Sequence, residues 1–161
     1  MRSIIALATC LAAQPVAAQE VAFDPAPLLA CLDSGAGNDC IGIAATACTT
    51  QPGARDAVPC MMAEYAFWDN ALREDFQTLL EAEITGDMIL ADIPRFADRP
   101  AAAPLLTEMQ DHWTTWRETM CAYEALQGWN TDGEAFNEAF CLMYQTGVQV
   151  LMLRRLTAGG G

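Results

Sequence analysis

The chain holds one histidine, His112, and an imidazole is the usual first candidate for a general base or a metal ligand. It stands between Asp111 and Trp113 with no serine or cysteine nucleophile identifiable beside it, so a catalytic dyad is not expected. Zinc and calcium sites need several ligands at short, regular spacings, and one histidine with scattered carboxylates supplies none. A second chemistry to weigh is glycoside hydrolysis, in which two carboxyl groups flank the scissile bond. Glu64, Asp69 and Glu118 could approach one another between helices. A helical core filled by Trp and Met leaves little groove for a polysaccharide, however. No catalytic, cofactor-binding or metal-binding residue is therefore assigned, and the protein is read as a non-enzyme.

The opening segment has the layout of a secretory signal peptide. One arginine, Arg2, precedes the apolar run Ile4 to Ala13, and Val16 and Ala18 are the small residues before a cut between Ala18 and Gln19. A lipidated Cys10 is the rival reading. That cysteine falls inside the apolar run and follows the bulky Thr9, so anchoring is not expected. No later apolar stretch is long enough for a membrane span. Removal of residues 1–18 leaves six cysteines, Cys31, Cys40, Cys48, Cys60, Cys121 and Cys141, an even number that reads in an exported chain as three disulfides. The absence of any C-x-x-C argues against a thiol oxidoreductase, a zinc ribbon or an attached haem.

The whole chain carries 21 acidic side chains against 8 arginines and no lysine, for a formal charge of −13. Nucleic acid is excluded as a partner, because phosphate binding needs clustered cations. A cationic protein would be drawn in by such a field. The plainer reading is that the acids keep a small secreted protein soluble.

These residues need elements to hold them. Residues 19–26 read as an extended leader, and Pro25 and Pro27 open a short helix that stops at the turn Ser34 to Gly37. Asn38 or Asp39 is placed to cap a second short helix ending near Cys48. From Asp56, Met61, Tyr65, Trp68, Leu72, Phe76 and Leu79 recur at helical spacing, a long helix that Gly86 is expected to end. Residues 87–103, with Pro94 and Pro100, read as a mobile connection with a turn of helix near Met88. A second long helix spans about 104–127 with a stripe of Leu105 or Leu106, Met109, Trp113, Trp116, Met120 and Tyr123. A third spans about 133–157 and presents Phe136, Phe140, Met143, Gly147, Val150 and Leu151. The tail, residues 158–161, is expected to be disordered. No segment alternates with period two. The fold class is all-α: three long helices in an up-down-up bundle, residues 56–157, with two short helices in residues 19–55 packed against it and disulfides stapling the whole.

If the second and third long helices form a hairpin about residue 130 or 131, Cys121 lies opposite Cys141. Closing that loop stabilises the fold by roughly 3 kcal/mol. The same symmetry pairs Cys31 with Cys40 and Cys48 with Cys60, although Cys31 with Cys48 and Cys40 with Cys60 would serve as well. On the second long helix, "QDHWTTWRETMCAYE" places Trp113, Trp116 and Met120 on the apolar stripe and Arg117 at its edge. Arg117 could reach Asp69 across the helices, in competition with a local Asp69–Arg73 pair at i,i+4.

The stretches "CMMAEYAFWDNALREDF" and "QDHWTTWRETMCAYE", followed by Cys141, resemble the small exported domain named for the lysozyme inhibitor LprI. Cys60, Trp68, Asp69 and Leu72 match its first helix. Gln110, Trp113, Trp116, Arg117, Glu118 and Cys121 match the second, and Cys141 and Thr146 the third, over about residues 56–156. Arg73 and Phe76 stand where the family has Asn and Tyr, Glu118 where it has Asp, and Gln149 where it has Arg. Residues 87–103 read as an insertion.

What the resemblance implies is an exported protein of the periplasm that inhibits lysozyme by blocking its cleft, with a cationic lysozyme-type partner and no cofactor. An exposed loop would carry the contact. Trp129 in "GWNTDGE" is one candidate, unless it packs back over the hairpin, and the 87–103 connection is the other. Three classes stay open: an inhibitor or binding module, a structural envelope protein with a different partner, and a hydrolase.

Overall fold

The computed structural model describes residues 22–51 and 56–159. The signal peptide expected over residues 1–18 and the chain break expected near residues 52–55 lie outside the described residues. Five α-helices form: α1 Ala26–Asp33, α2 Ile43–Thr49, α3 Ala57–Ala91, α4 Ala102–Leu126 and α5 Gly133–Gly159. Short 3-10 turns at Gly37–Cys40 and Pro94–Phe96 join them, and no strand occurs among the described residues.

Helix α3 runs through the centre and packs against α2, α4 and α5. Its inward face is the predicted stripe, with Met61, Trp68, Leu72 and Leu79 buried and Tyr65 and Phe76 packed at the edge. Leu28 of α1, Ala44 and Ala45 of α2, and Met143, Val150 and Leu153 of α5 complete one core. The short N-terminal helices thus share their interior with the long ones. The disulfides are Cys31–Cys40, Cys48–Cys60 and Cys121–Cys141, so of the two arrangements the sequence leaves open for the N-terminal cysteines, the hairpin-symmetric one is present. Cross-links between α4 and α5 run in opposite directions along the chain, from Cys121–Cys141 through Arg117–Thr146 to Gln110–Gln149. These two helices are therefore an antiparallel hairpin.

Several boundaries differ from the sequence expectation, each for a local reason. Gly86 does not end α3, which continues to Ala91. A glycine inside a helix costs only about 1 kcal/mol, and the following turn is held because Asp87 serves the next helix. Pro94, which cannot continue a helix, is the effective stop. The 87–103 connection is correspondingly shorter and better tied than expected. Asp87 accepts hydrogen bonds from the N–H groups of Ala102 at 2.8 Å and Ala103 at 2.9 Å, and Arg99 pairs with it at 3.0 Å. Helix α4 has no side-chain cap of its own at Ala101. The acid that satisfies its first turn comes from α3. Helix α5 includes Ala158 and Gly159, so the expected tail is helical for those two residues.

The N–H donors of Ala102 and then Ala103, with a smaller contribution from Arg99, hold the Asp87 carboxyl below its ordinary range. Its stabilisation is complete above about pH 4, the range of an unfolded aspartate, and is lost as pH falls through the lower folded value. Asp87→Asn should therefore melt at a lower temperature than the wild type at pH 7, with the gap closing as pH drops below about 4; circular-dichroism melts between pH 7 and 2.5 measure it.

Candidate functional site

The most constrained side chain is Glu64, fully buried on α3. One carboxylate oxygen accepts from the N–H of Gly42 at 2.6 Å and from the indole N–H of Trp68 at 3.0 Å, and the other from the N–H of Ala45 at 2.7 Å. Helix α2 needs this because Gly42, its N-terminal neighbour, has no side chain to cap it. Gly42 adopts φ 93°, a left-handed conformation that favours glycine. The expected cap from Asn38 or Asp39 is absent; those residues belong to the preceding 3-10 turn. Among the described ion pairs none includes Glu64, so its charge is met by oriented N–H groups and the α2 dipole.

A second polar cluster lies where α3, α4 and α5 meet. Arg117 is buried and donates to Thr146 Oγ1 at 3.0 Å, and its guanidinium stands 3.6 Å from Asp69. It also lies over the rings of Trp113, at 4.9 Å from the centroid, and Tyr65, at 5.7 Å. Asp69 is shared, since Arg73 pairs with it from the same helix. Both alternatives weighed from the sequence are thus present together. One turn along, Gln149 donates to Gln110 at 2.9 Å. Glutamine at the position where the resemblance leads one to expect arginine therefore has a partner and is itself buried.

This seam is offset from the apolar stripe expected on the second long helix. The inward residues of α4 are Leu106, Trp113, Arg117, Cys121 and Ala125, whereas Trp116 is 48 % exposed and Tyr123 and Glu118 are also exposed. Trp113 and Arg117 are four residues apart and share a face, while Trp116 is rotated away from it. The seam must carry Cys121 to Cys141 and Arg117 to Thr146, and those two links fix the rotation of the helix. Close approach fixes α5 as well. A Cβ at Gly147 would meet Ile41 at 2.9 Å, so glycine there lets the 3-10 turn and α5 touch.

The three acids considered for glycoside chemistry are engaged with different elements. Glu64 faces α2, Asp69 faces Arg117, and Glu118 is exposed. Among the described residues no group of three or more His, Cys, Asp or Glu is placed to hold a metal ion, and His112 lies on the exposed side of α4.

The surface carries what the interior does not explain. Trp129, in the turn between α4 and α5, is 61 % exposed and does not pack back over the hairpin. Phe136 and Phe140, expected on the inward stripe of the third long helix, are nearly half exposed. They stack with Tyr144 in a ladder, with centroids 6.5 and 5.9 Å apart. Beside them opens a groove of about 480 Å³. Solvent-exposed aromatics at helical spacing are indistinguishable by sequence from a buried stripe, which is why the sequence reading missed this surface.

The sequence model of the family described as Lysozyme inhibitor LprI matches residues 45–153, from within α2 to the last turns of α5. No curated protein and no solved structure matches the chain.

Removing the acceptors at the α2 junction should be severe. Glu64→Gln keeps one oxygen for Gly42 and Trp68 but turns an amide N–H toward Ala45, and should destabilise by about 1–3 kcal/mol, with Glu64→Ala costing more. At the second cluster, a double-mutant cycle on Asp69 and Arg117 should give a coupling of only about 0.5–1 kcal/mol, because Asp69 is partly solvated and shared. Arg117→Ala alone should cost about 2–4 kcal/mol through lost ring contacts and a stranded Thr146. Urea unfolding of the oxidised protein measures all of these.

Proposed function

The chain belongs to the lysozyme inhibitor LprI family, and from that premise we propose that it is an exported, non-enzymatic binding protein of the cell envelope that inhibits lysozyme-type peptidoglycan hydrolases. The observation that carries this reading is the family match over residues 45–153, which takes in Glu64, the Arg117 cluster and the α4–α5 hairpin. Three features support it. The disulfides suit an oxidising compartment. The formal charge of −13 suits a cationic partner, whose association it accelerates. Of the motif residues, Trp68, Asp69, Leu72, Gln110, Trp113, Arg117 and Thr146 are engaged in packing or interhelical contacts, whereas Trp116 and Glu118 are exposed and belong to the surface left for recognition. Inhibition of this kind needs no chemistry from the inhibitor, only a surface that covers the enzyme's cleft. Trp129, projecting from the turn ahead of α5, is one such contact. An envelope protein with a different partner is the alternative that the same scaffold would serve.

Protein beginning at Gln19, purified oxidised and added at micromolar concentration, should slow cell-wall lysis by one or more of a panel of cationic lysozymes. The effect should weaken as salt is raised from about 10 to 200 mM, since screening shortens the reach of the field. No slowing against any lysozyme at low salt would turn the reading toward another partner, and peptidoglycan cleavage by the protein alone would overturn the non-enzymatic assignment.

A further inference from the structure

The groove beside the aromatic ladder has a shape, a lining and a charge setting that together specify an occupant. Its floor and walls are Ile41, Ile43, Ala57, Met61, Phe140 and Met143, contributed by the segment around α2, the first turns of α3 and the start of α5. At about 480 Å³ it is the size of an ordinary ligand cleft. A smaller hollow of about 180 Å³, lined in part by Glu124 and Asn137, meets it across Phe140. Phe140 therefore stands as a half-exposed apolar rib between two depressions, with Phe136 half-exposed on the wall of the larger one, and neither belongs to the core cluster.

The segments that build the groove are poor in cations. Residues 118–153 contain no arginine or lysine, and from Glu20 to Leu72 the single cation is Arg55, which lies outside the described residues. The acids that flank the groove-lining segments are Asp39, Asp56, Glu134 and Glu138, and among them Asp39, Asp56 and Glu138 are exposed. The described arginines other than Arg117 are Arg73, Arg95, Arg99, Arg154 and Arg155, on the middle of α3, the α3–α4 connection and the last turns of α5, where Arg154 and Arg155 line a hollow with Gly37 and Asn38. An apolar groove on cation-poor segments of a chain whose formal charge is −13 disfavours a second copy of this chain and an anionic membrane alike. It favours a partner that brings cations to the rim and an apolar side chain to the centre.

We propose that this groove, walled by Phe136 and Phe140 of the aromatic ladder, is the face that docks an apolar side chain of a cationic protein partner. The proposal rests on the reading of the chain as a lysozyme-type inhibitor and names the contact surface for it. Trp129, on the turn leading into α5, then lies toward the rim rather than at the anchor.

The test is titration calorimetry of the oxidised protein from Gln19 with the cationic lysozymes of the lysis panel at low salt. Phe136→Ser with Phe140→Ser should weaken binding at least about 30-fold, equivalent to about 2 kcal/mol for loss of an interface anchor. Thr46→Arg, which places a cation at the exposed mouth of the groove, should weaken it comparably. Ile89→Ser, at an exposed position toward the end of α3, should stay within about twofold. Circular-dichroism melts and intact mass under non-reducing conditions identify any variant that fails to fold, and Thr46→Arg carries the test if the double variant does. If the wild type binds and both groove variants bind within about threefold of it, the groove is not the contact and the inhibitor reading stands. If the wild type binds none of the panel, the reading falls and this proposal falls with it. A wild-type dimer that the phenylalanine changes dissolve would assign the groove to a second copy and overturn the proposal.

Discussion

Helices α2 and α4 begin without a capping side chain of their own, and both are completed by acids on α3. Glu64 supplies the N-terminal acceptors for α2, and Asp87 does so for α4. A helix start leaves several N–H groups without intrahelical partners, and a buried start cannot give them to water. Helix α3 therefore acts as more than the largest apolar face in the molecule. It fixes where the helices on either side of it begin. The Cys48–Cys60 disulfide fastens α2 to α3 near the same junction, so covalent and hydrogen-bonded constraints agree on one arrangement of the N-terminal half.

Once α3 is placed, the remaining polar residues of the interior fall into line along α4 and α5. Arg117 is held by a hydroxyl, a shared carboxylate and two aromatic faces, and it gains little from any single one. The arrangement is specific because every partner comes from a different helix turn: Tyr65 and Asp69 on α3, Trp113 on α4, Thr146 on α5. Whereas Trp116 and Glu118 of the family pattern are exposed, Asp69, Trp113, Arg117 and Thr146, four of the residues on which the resemblance rests, meet where three helices join. Such residues can be shared by proteins with different partners, since they shape the scaffold and leave its outer face free to vary.

The helices were legible in the sequence because hydrophobic spacing reports a buried face directly, as the stripe from Met61 to Leu79 shows. Cysteine symmetry about the turns was legible for the same kind of reason: a hairpin converts sequence distance into spatial proximity. The caps were not legible. A carboxylate that serves a helix 15 to 22 residues away along the chain carries no local signature, and Glu64 read as one acid among many. The face of α4 was misread by one position, because two tryptophans three apart look like a stripe whichever of them is buried. The exposed phenylalanines of α5 share the spacing of a core stripe, and only the packing of α2 and the 3-10 turn beside them shows which part of α5 is covered.

That last misreading bears on how a strongly acidic protein can be selective. Long-range charge accelerates encounter with any cationic partner and fades with salt, so by itself it discriminates poorly. Apolar surface acts only on contact, and it lengthens the life of the few complexes whose shape fills it. The described residues place both on the same part of the fold: the aromatic ladder and its groove lie on segments that carry acids, while the described arginines other than Arg117 lie on other turns. Arg117 is the one described cation in the interior, and its charge is met by Asp69 and two rings rather than presented to solvent.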